Sequence, residues 1–383
     1  MKPLALIITA VTLIAGYTHT DISVAQPLLD KAALGQQLYF DTRLSANRSE
    51  SCATCHAPSA GFADPRDNAA QGAVSLGDDG HSLGDRNTPT ATYAMFSPDF
   101  QRTKGGIYKG GQFHDGRAKN LQQQAGGPPL NPIEMGMPSM AAVVERLKEI
   151  PLYRTNFTAL YGADVFKQPE QAYSAMTDSI AAFERTELFA PFDSKYDRFL
   201  RGEYQLTPEE DLGRTLFFSQ QFTNCNQCHQ LKTSPRAKGE TFTNYEYHNI
   251  GVPVNQQART VNGVSPDFID QGLFDNPAVS DPNQAGKFKV STLRNVAVTG
   301  PYMHNGVFKD LRTVVLFYNK YNSRNPARQI NPETGQPWAA PEIASTISLK
   351  ELESGPALND QRIDALVAFM KTLTDQRYEA LLD

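Results

Sequence analysis

Two short stretches decide the reading: Cys52-Ala53-Thr54-Cys55-His56 and Cys225-Asn226-Gln227-Cys228-His229. Both are CxxCH, the attachment site of c-type haem. The two thiols add to the vinyl groups of one porphyrin, and the adjoining His is carried under the ring as proximal iron ligand. Together the motifs use all four cysteines of the 383-residue chain. Two disulfides, or a zinc ion on two CxxC pairs, are the competing readings, and neither explains the His that closes both motifs.

Around the motifs the chain repeats itself. Leu34-Gly35-Gln36-Gln37-Leu38-Tyr39-Phe40 precedes the first, and Leu212-Gly213-Arg214-Thr215-Leu216-Phe217-Phe218 the second. Phe113-His114-Asp115-Gly116 is echoed by Met303-His304-Asn305-Gly306. Each half closes on a helical pattern, Ile180 to Thr186 and Leu366 to Thr372. Ile363, Leu366, Val367, Met370 and Leu373 fall at helical spacing and predict an apolar stripe. Thr207-Pro208-Glu209-Glu210 has the form of a helix start. The fold expected is mainly α: two cytochrome-c-like domains with long loops, arising by internal duplication, over 26–205 and 206–383. The loops 57–112 and 230–300 carry few periodic signals, so short strands at most are expected there.

The N-terminus predicts a signal peptide over 1–25. Lys2 is its positive end, Leu4 to Gly16 its apolar stretch, and Ser23-Val24-Ala25 its cleavage site. An uncleaved anchor is the alternative; in either case the chain leaves the cytoplasm, and a periplasmic location is expected. A net charge of −5 gives no footing to a nucleic-acid partner. With no other long apolar stretch, no membrane association is expected after cleavage.

The halves differ at the sixth iron position. Tyr318 stands seven residues after Leu311, and Pro128 seven after Leu121. Tyr ligates ferric iron as phenolate, while Pro has no donor. This predicts a closed haem on His229 and Tyr318 and an open one on His56. An open haem that splits peroxide needs an acid–base group, for which Glu134 is the candidate; its alternative role is that of an ordinary surface carboxylate.

The chain resembles the bacterial dihaem cytochrome c peroxidases over essentially its whole mature length. The resemblance is carried by Gly84-Asp85-Arg86-Asn87-Thr88-Pro89-Thr90, Asp115-Gly116-Arg117-Ala118, Phe242 to Gly251, Leu293 to Phe308 and Leu316 to Tyr321. Tyr318, where ordinary members carry Met, favours the branch that serves methylamine utilisation. The resemblance implies Glu134 as distal carboxylate, with Gln124 and Pro128 in the same pocket. It implies a calcium ion between the haems on Asn87, Thr299 and Pro301, the last two through carbonyls. It also implies a hydrogen-peroxide-driven oxidation of the methylamine dehydrogenase precursor, two of whose tryptophans become tryptophan tryptophylquinone. A peroxidase fed by a small cytochrome c or copper protein is the alternative, and a dihaem electron carrier without catalysis a third. The family's tryptophan between the haems is matched by His114 and its surface tryptophan by Thr223. Trp338 is the only tryptophan present.

Overall fold

The computed structural model describes residues 29–382. The leader and its cleavage point after Ala25 lie outside the described residues. Helices carry the architecture. Among the described residues strands occur only as two-residue antiparallel pairs: Gln101–Arg102 with Tyr108–Lys109, Tyr247–His248 with Phe288–Lys289, and Ile330–Asn331 with Gln336–Pro337. Among the described residues no helix is long and apolar enough to cross a membrane.

Two apolar cores follow one another along the chain. The first is built from helices Lys31–Tyr39, Met140–Lys148, Pro151–Tyr161 and Pro169–Phe183, around Leu34, Leu38, Leu147, Phe157 and Met176. The second uses helices Pro208–Phe218, Leu311–Asn319 and Asp360–Lys371, around Leu216, Leu316, Ile363, Leu366 and Phe369. The changeover falls between Phe189, in the first core, and Tyr196, in the second. The start at Thr207 is a full capping box. Thr207 Oγ1 accepts from the Glu210 N–H, and a Glu210 carboxylate oxygen accepts from the Thr207 N–H at 2.8 Å. The last helix buries Ile363, Leu366 and Met370, with Leu373 buried just beyond it, while Val367 is half-buried and Phe369 takes a central place. Besides short 3-10 turns, the 230–300 stretch holds one α-helix among the described residues that the sequence pattern did not signal, Gln256–Val261, capped by Asn255.

In each core the opening helix crosses the closing helix at a glycine. A Cβ on Gly35 would lie 1.8 Å from Ser179 O, and one on Gly213 would lie 1.8 Å from Ala365 O. Both contacts are with backbone, which cannot step aside cheaply. Gly213→Ala is therefore expected to destabilise the protein by about 1–3 kcal/mol through overpacking. An exposed helix would instead gain from the same change. The sign of the shift in the urea midpoint checks the close approach.

Other local devices recur in the same order. Phe62 and Phe242 both take positive φ just beyond a CxxCH motif. Phe113 and Met303 do so just inside the bridges Gln112–Ala118 and Tyr302–Phe308. The two halves are joined by polar contacts. Arg86 pairs with Asp115 and Asp270, both at 2.6 Å. Tyr93 OH donates to Asp375, and Asn295 Nδ2 donates to Asp375 and Thr92. The final turn, Gln376–Leu381, folds back on the first half: Tyr378 OH donates to Pro58 O at 2.8 Å, and the Arg377 guanidinium donates to Leu188 O.

Candidate haem sites

Each CxxCH motif forms one tight turn. Cys52–Cys55 is a single helical turn that starts at Ser51, whose N–H donates to Thr54 Oγ1 at 2.9 Å. Cys225–Gln227 is a 3-10 turn. In both, the His N–H returns to the first Cys carbonyl, at 2.9 Å for His56 and 3.0 Å for His229. His56 Nδ1 lies 3.1 Å from Phe62 O, and His229 Nδ1 lies 2.9 Å from Phe242 O. A carbonyl only accepts, so Nδ1 carries the hydrogen and Nε2 keeps its lone pair for a metal. The left-handed backbone at Phe62 and Phe242 aims the two carbonyls. Burial lowers the pKa of both rings, that of His229 to about 4, which holds them in the neutral, ligating form. All four thiols are free. Among the described residues no group of three or more His, Cys, Asp or Glu is placed to hold a metal.

A cavity of about 360 Å³ lies over the second motif. Cys225, Cys228, His229 and Tyr318 share its wall with apolar Leu366 and Met370. Mostly apolar walls with a few polar groups at the metal position suit a porphyrin. Tyr318 comes from helix Leu311–Asn319. Burial pushes its phenol up, so a metal cation is the charge that would offset this on ligation. The corresponding first-half position, Pro128, opens the turn Pro128–Leu130.

The distal candidates of the first half are brought together by consecutive turns. Gly127 N–H donates to Gln124 O, Asn131 N–H to Pro128 O, and Glu134 N–H to Asn131 O. The Asn131 side-chain amide donates to Glu134 Oε1 at 2.8 Å. Burial raises the Glu134 pKa, against that hydrogen bond and the nearby positive charge of Arg117. Burial, followed by the charge of Glu184, pushes the Cys52 thiol up to about 12, and Glu134 adds to this. Glu134 is thus within electrostatic reach of the first motif.

His114 and the three predicted calcium ligands, Asn87, Thr299 and Pro301, line the same cavity as His229. His114 Nε2 lies 2.9 Å from Asn87 O, and Asn87 N–H donates to His304 O at 2.7 Å. The Asn87 side chain spends its NH2 on Ala73 O, which leaves the amide oxygen as its donor to a cation. Burial lowers the His114 pKa to about 4, so His114 is a neutral link between the halves. Thr223 is buried, its hydroxyl donating to Leu216 O at 2.7 Å. Its neighbour Phe222 is exposed. Trp338 is half-buried and packs edge-on to Phe308 and Phe317.

Two groups were missed by sequence reasoning, one buried and one half-buried. Glu184 Oε2 has no hydrogen-bond partner, and burial raises its pKa to about 8. The second half has Met370 at the matching position, so comparison of the two closing helices held a signal for it. Lys289 sits on a two-residue strand in a loop without periodicity, and nothing local marks it.

A family profile described as di-haem cytochrome c peroxidase matches residues 29–205. The chain is 56% identical over 384 residues to the methylamine utilization protein MauG of Paracoccus denitrificans, covering 100% of this chain and 96% of that protein. It is 34% identical over 301 residues to a cytochrome c peroxidase of Escherichia coli, covering 76% of this chain and 53% of the other. Among solved structures, the diheme peroxidase BthA from Burkholderia thailandensis superposes with a TM-score of 0.78 at 32% identity, over 91% of this chain and 86% of that one. The paired CxxCH turns, their neutral histidines and a likeness that runs end to end agree: this chain belongs to the di-haem cytochrome c peroxidase family.

Proposed function

We propose that this protein is a periplasmic haem-dependent oxidoreductase that uses hydrogen peroxide to oxidise a protein substrate, the precursor of methylamine dehydrogenase. Two tryptophans of that precursor become its tryptophan tryptophylquinone cofactor. The observation that carries this is Tyr318 on the same cavity wall as His229, in a chain alike over its whole length to a methylamine utilization protein. On this reading the halves are duplicated cytochrome-c-like domains, 26–205 and 206–383. Cys52 and Cys55 hold one haem through thioethers, and Cys225 and Cys228 the other. His56 would hold the iron of the first, and His229 and Tyr318 the iron of the second. A calcium ion is held by Asn87 and the carbonyls of Thr299 and Pro301.

When bound, the haem pair would supply the two electrons that reduce hydrogen peroxide to water, and the protein substrate, on oxidation, would give back two electrons and release two protons. Glu134 takes the proton from the inner peroxide oxygen and returns it to the outer one, the leaving water. Asn131 holds Glu134 Oε1 for that transfer. Gln124 and Pro128 would shape the pocket, where Pro128 offers no donor atom to iron. His114 lies between the two halves.

The test is to give haem-loaded protein, peroxide and dehydrogenase precursor, and to follow quinone absorbance. Absence of quinone from a preparation with two haems overturns this reading. Tyr318→Phe is expected to alter the low-spin ferric spectrum of the second haem and to abolish quinone formation. An unchanged spectrum rejects the ligand assignment.

The buried Thr223, where the family's surface tryptophan stands, favours a second reading. In it the protein is a peroxidase that reduces peroxide to water with electrons from a small cytochrome c or copper protein. Rapid multiple turnover of a reduced cytochrome selects it.

A further inference from the structure

The cavity that holds His229 and Tyr318 also presents a cation without a counter-ion. Lys289 lines its wall. The Lys289 N–H donates to His114 O at 2.8 Å, and its ammonium donates to Gly111 O at 2.6 Å. That carbonyl is the only side-chain hydrogen bond it makes among the described residues. The acid nearest in effect is Asp115, whose carboxylate is already taken by Arg86 at 2.6 Å and Arg117 at 2.9 Å. Burial pushes the ammonium down to about 8, and only the charge of Asp115 opposes this. An ammonium on the wall of a cavity, half-buried and with one neutral acceptor, is costly unless an anion joins it.

The chemistry of the cavity's occupant supplies that anion. Thioether attachment consumes the vinyl groups of a porphyrin and leaves its two propionates as carboxylates. We infer that Lys289 is the counter-ion of a propionate of the haem held by His229 and Tyr318. The inference rests on the reading that a haem occupies this cavity. A cation beside the propionate favours the reduced iron, because reduction adds a negative charge to the site.

The experiment compares holoproteins. Lys289→Met is expected to lower the midpoint potential of the Tyr318-ligated haem, followed by its low-spin ferric resonance. It is also expected to shift the propionate bending band in the resonance Raman spectrum. Lys289→Arg keeps the charge and is expected to retain both values. If Lys289→Met does not keep its second haem, Lys289→Gln is read in its place. Unchanged potential and unchanged band in a variant with both haems overturn the inference. So does a wild-type potential that follows the concentration of phosphate or chloride, since the anion is then a free one. Haem content separates the failures: a wild-type protein with one haem defeats the dihaem reading itself, whereas two haems and an indifferent Lys289 defeat only this pairing.

Discussion

Glu134→Gln is expected to slow the reaction of the haem-loaded protein with peroxide on the order of 10²–10⁴-fold, the range for removal of a positioned proton carrier. The substitution is isosteric, and the amide oxygen still accepts from Asn131, as Oε1 does at 2.8 Å. The pocket keeps its shape and loses only the proton acceptor. Stopped-flow mixing with peroxide measures the effect, and the resting haem spectra are expected to match wild type. A loss below about tenfold would remove Glu134 from the proton path. The pH profile provides a second check. Glu134 must be ionised to take the first proton, and burial raises its pKa. The rate is therefore expected to fall on the acid side, with its midpoint above the ordinary glutamate range, and this limb is expected to vanish in the Gln variant.

The largest expected loss of stability is at Arg294. Its side chain is fully buried and donates to both carboxylate oxygens of Asp197, as well as to Ser194 Oγ and Glu240 O. Its guanidinium also stacks over Tyr93, Phe192 and Phe242 at 5.0–5.2 Å. Arg294→Met leaves Asp197 buried without its partner and is expected to cost about 3–5 kcal/mol, measured in urea unfolding of the holoprotein. Combining it with Asp197→Leu removes both charges and is expected to recover much of that loss. A single-variant change under about 1 kcal/mol would place the pair with weak surface bridges instead. Burial pushes Asp197 up, yet the hydrogen bonds and charge of Arg294 leave it below its ordinary pKa. This contribution is thus present at neutral pH and is lost as pH falls through the lowered value.

Much of this was legible because it is local. The CxxCH turns, the Thr207 capping box and the stripe at Ile363, Leu366 and Met370 depend on residues within a turn or two of each other. The halves were legible because their motifs repeat in order. The joint between them was not. Arg86 reaches Asp270 across 184 positions, and Tyr93 reaches Asp375 across 282. No periodicity marks such partners, since their pairing is created by the packing of whole halves. Lys289 was hidden for the same reason: its meaning comes from a cavity assembled from both halves. Asn255 at the start of Gln256–Val261 is a capping residue, but too short a helix follows for an apolar stripe to reveal it.

The folded-back end of the chain has a consequence for biogenesis. Tyr378 and Arg377 cover the surface at Pro58 and Leu188, and Asp375 receives the Tyr93 hydroxyl. The amino-terminal half therefore lacks part of its covering until the last residues have been made and have folded. The first CxxCH motif thus sits in a half whose flank stays uncovered until the chain is complete. Proteins truncated by a dozen residues at the carboxyl terminus, far from either motif in sequence, should accumulate with a labile first half open to protease.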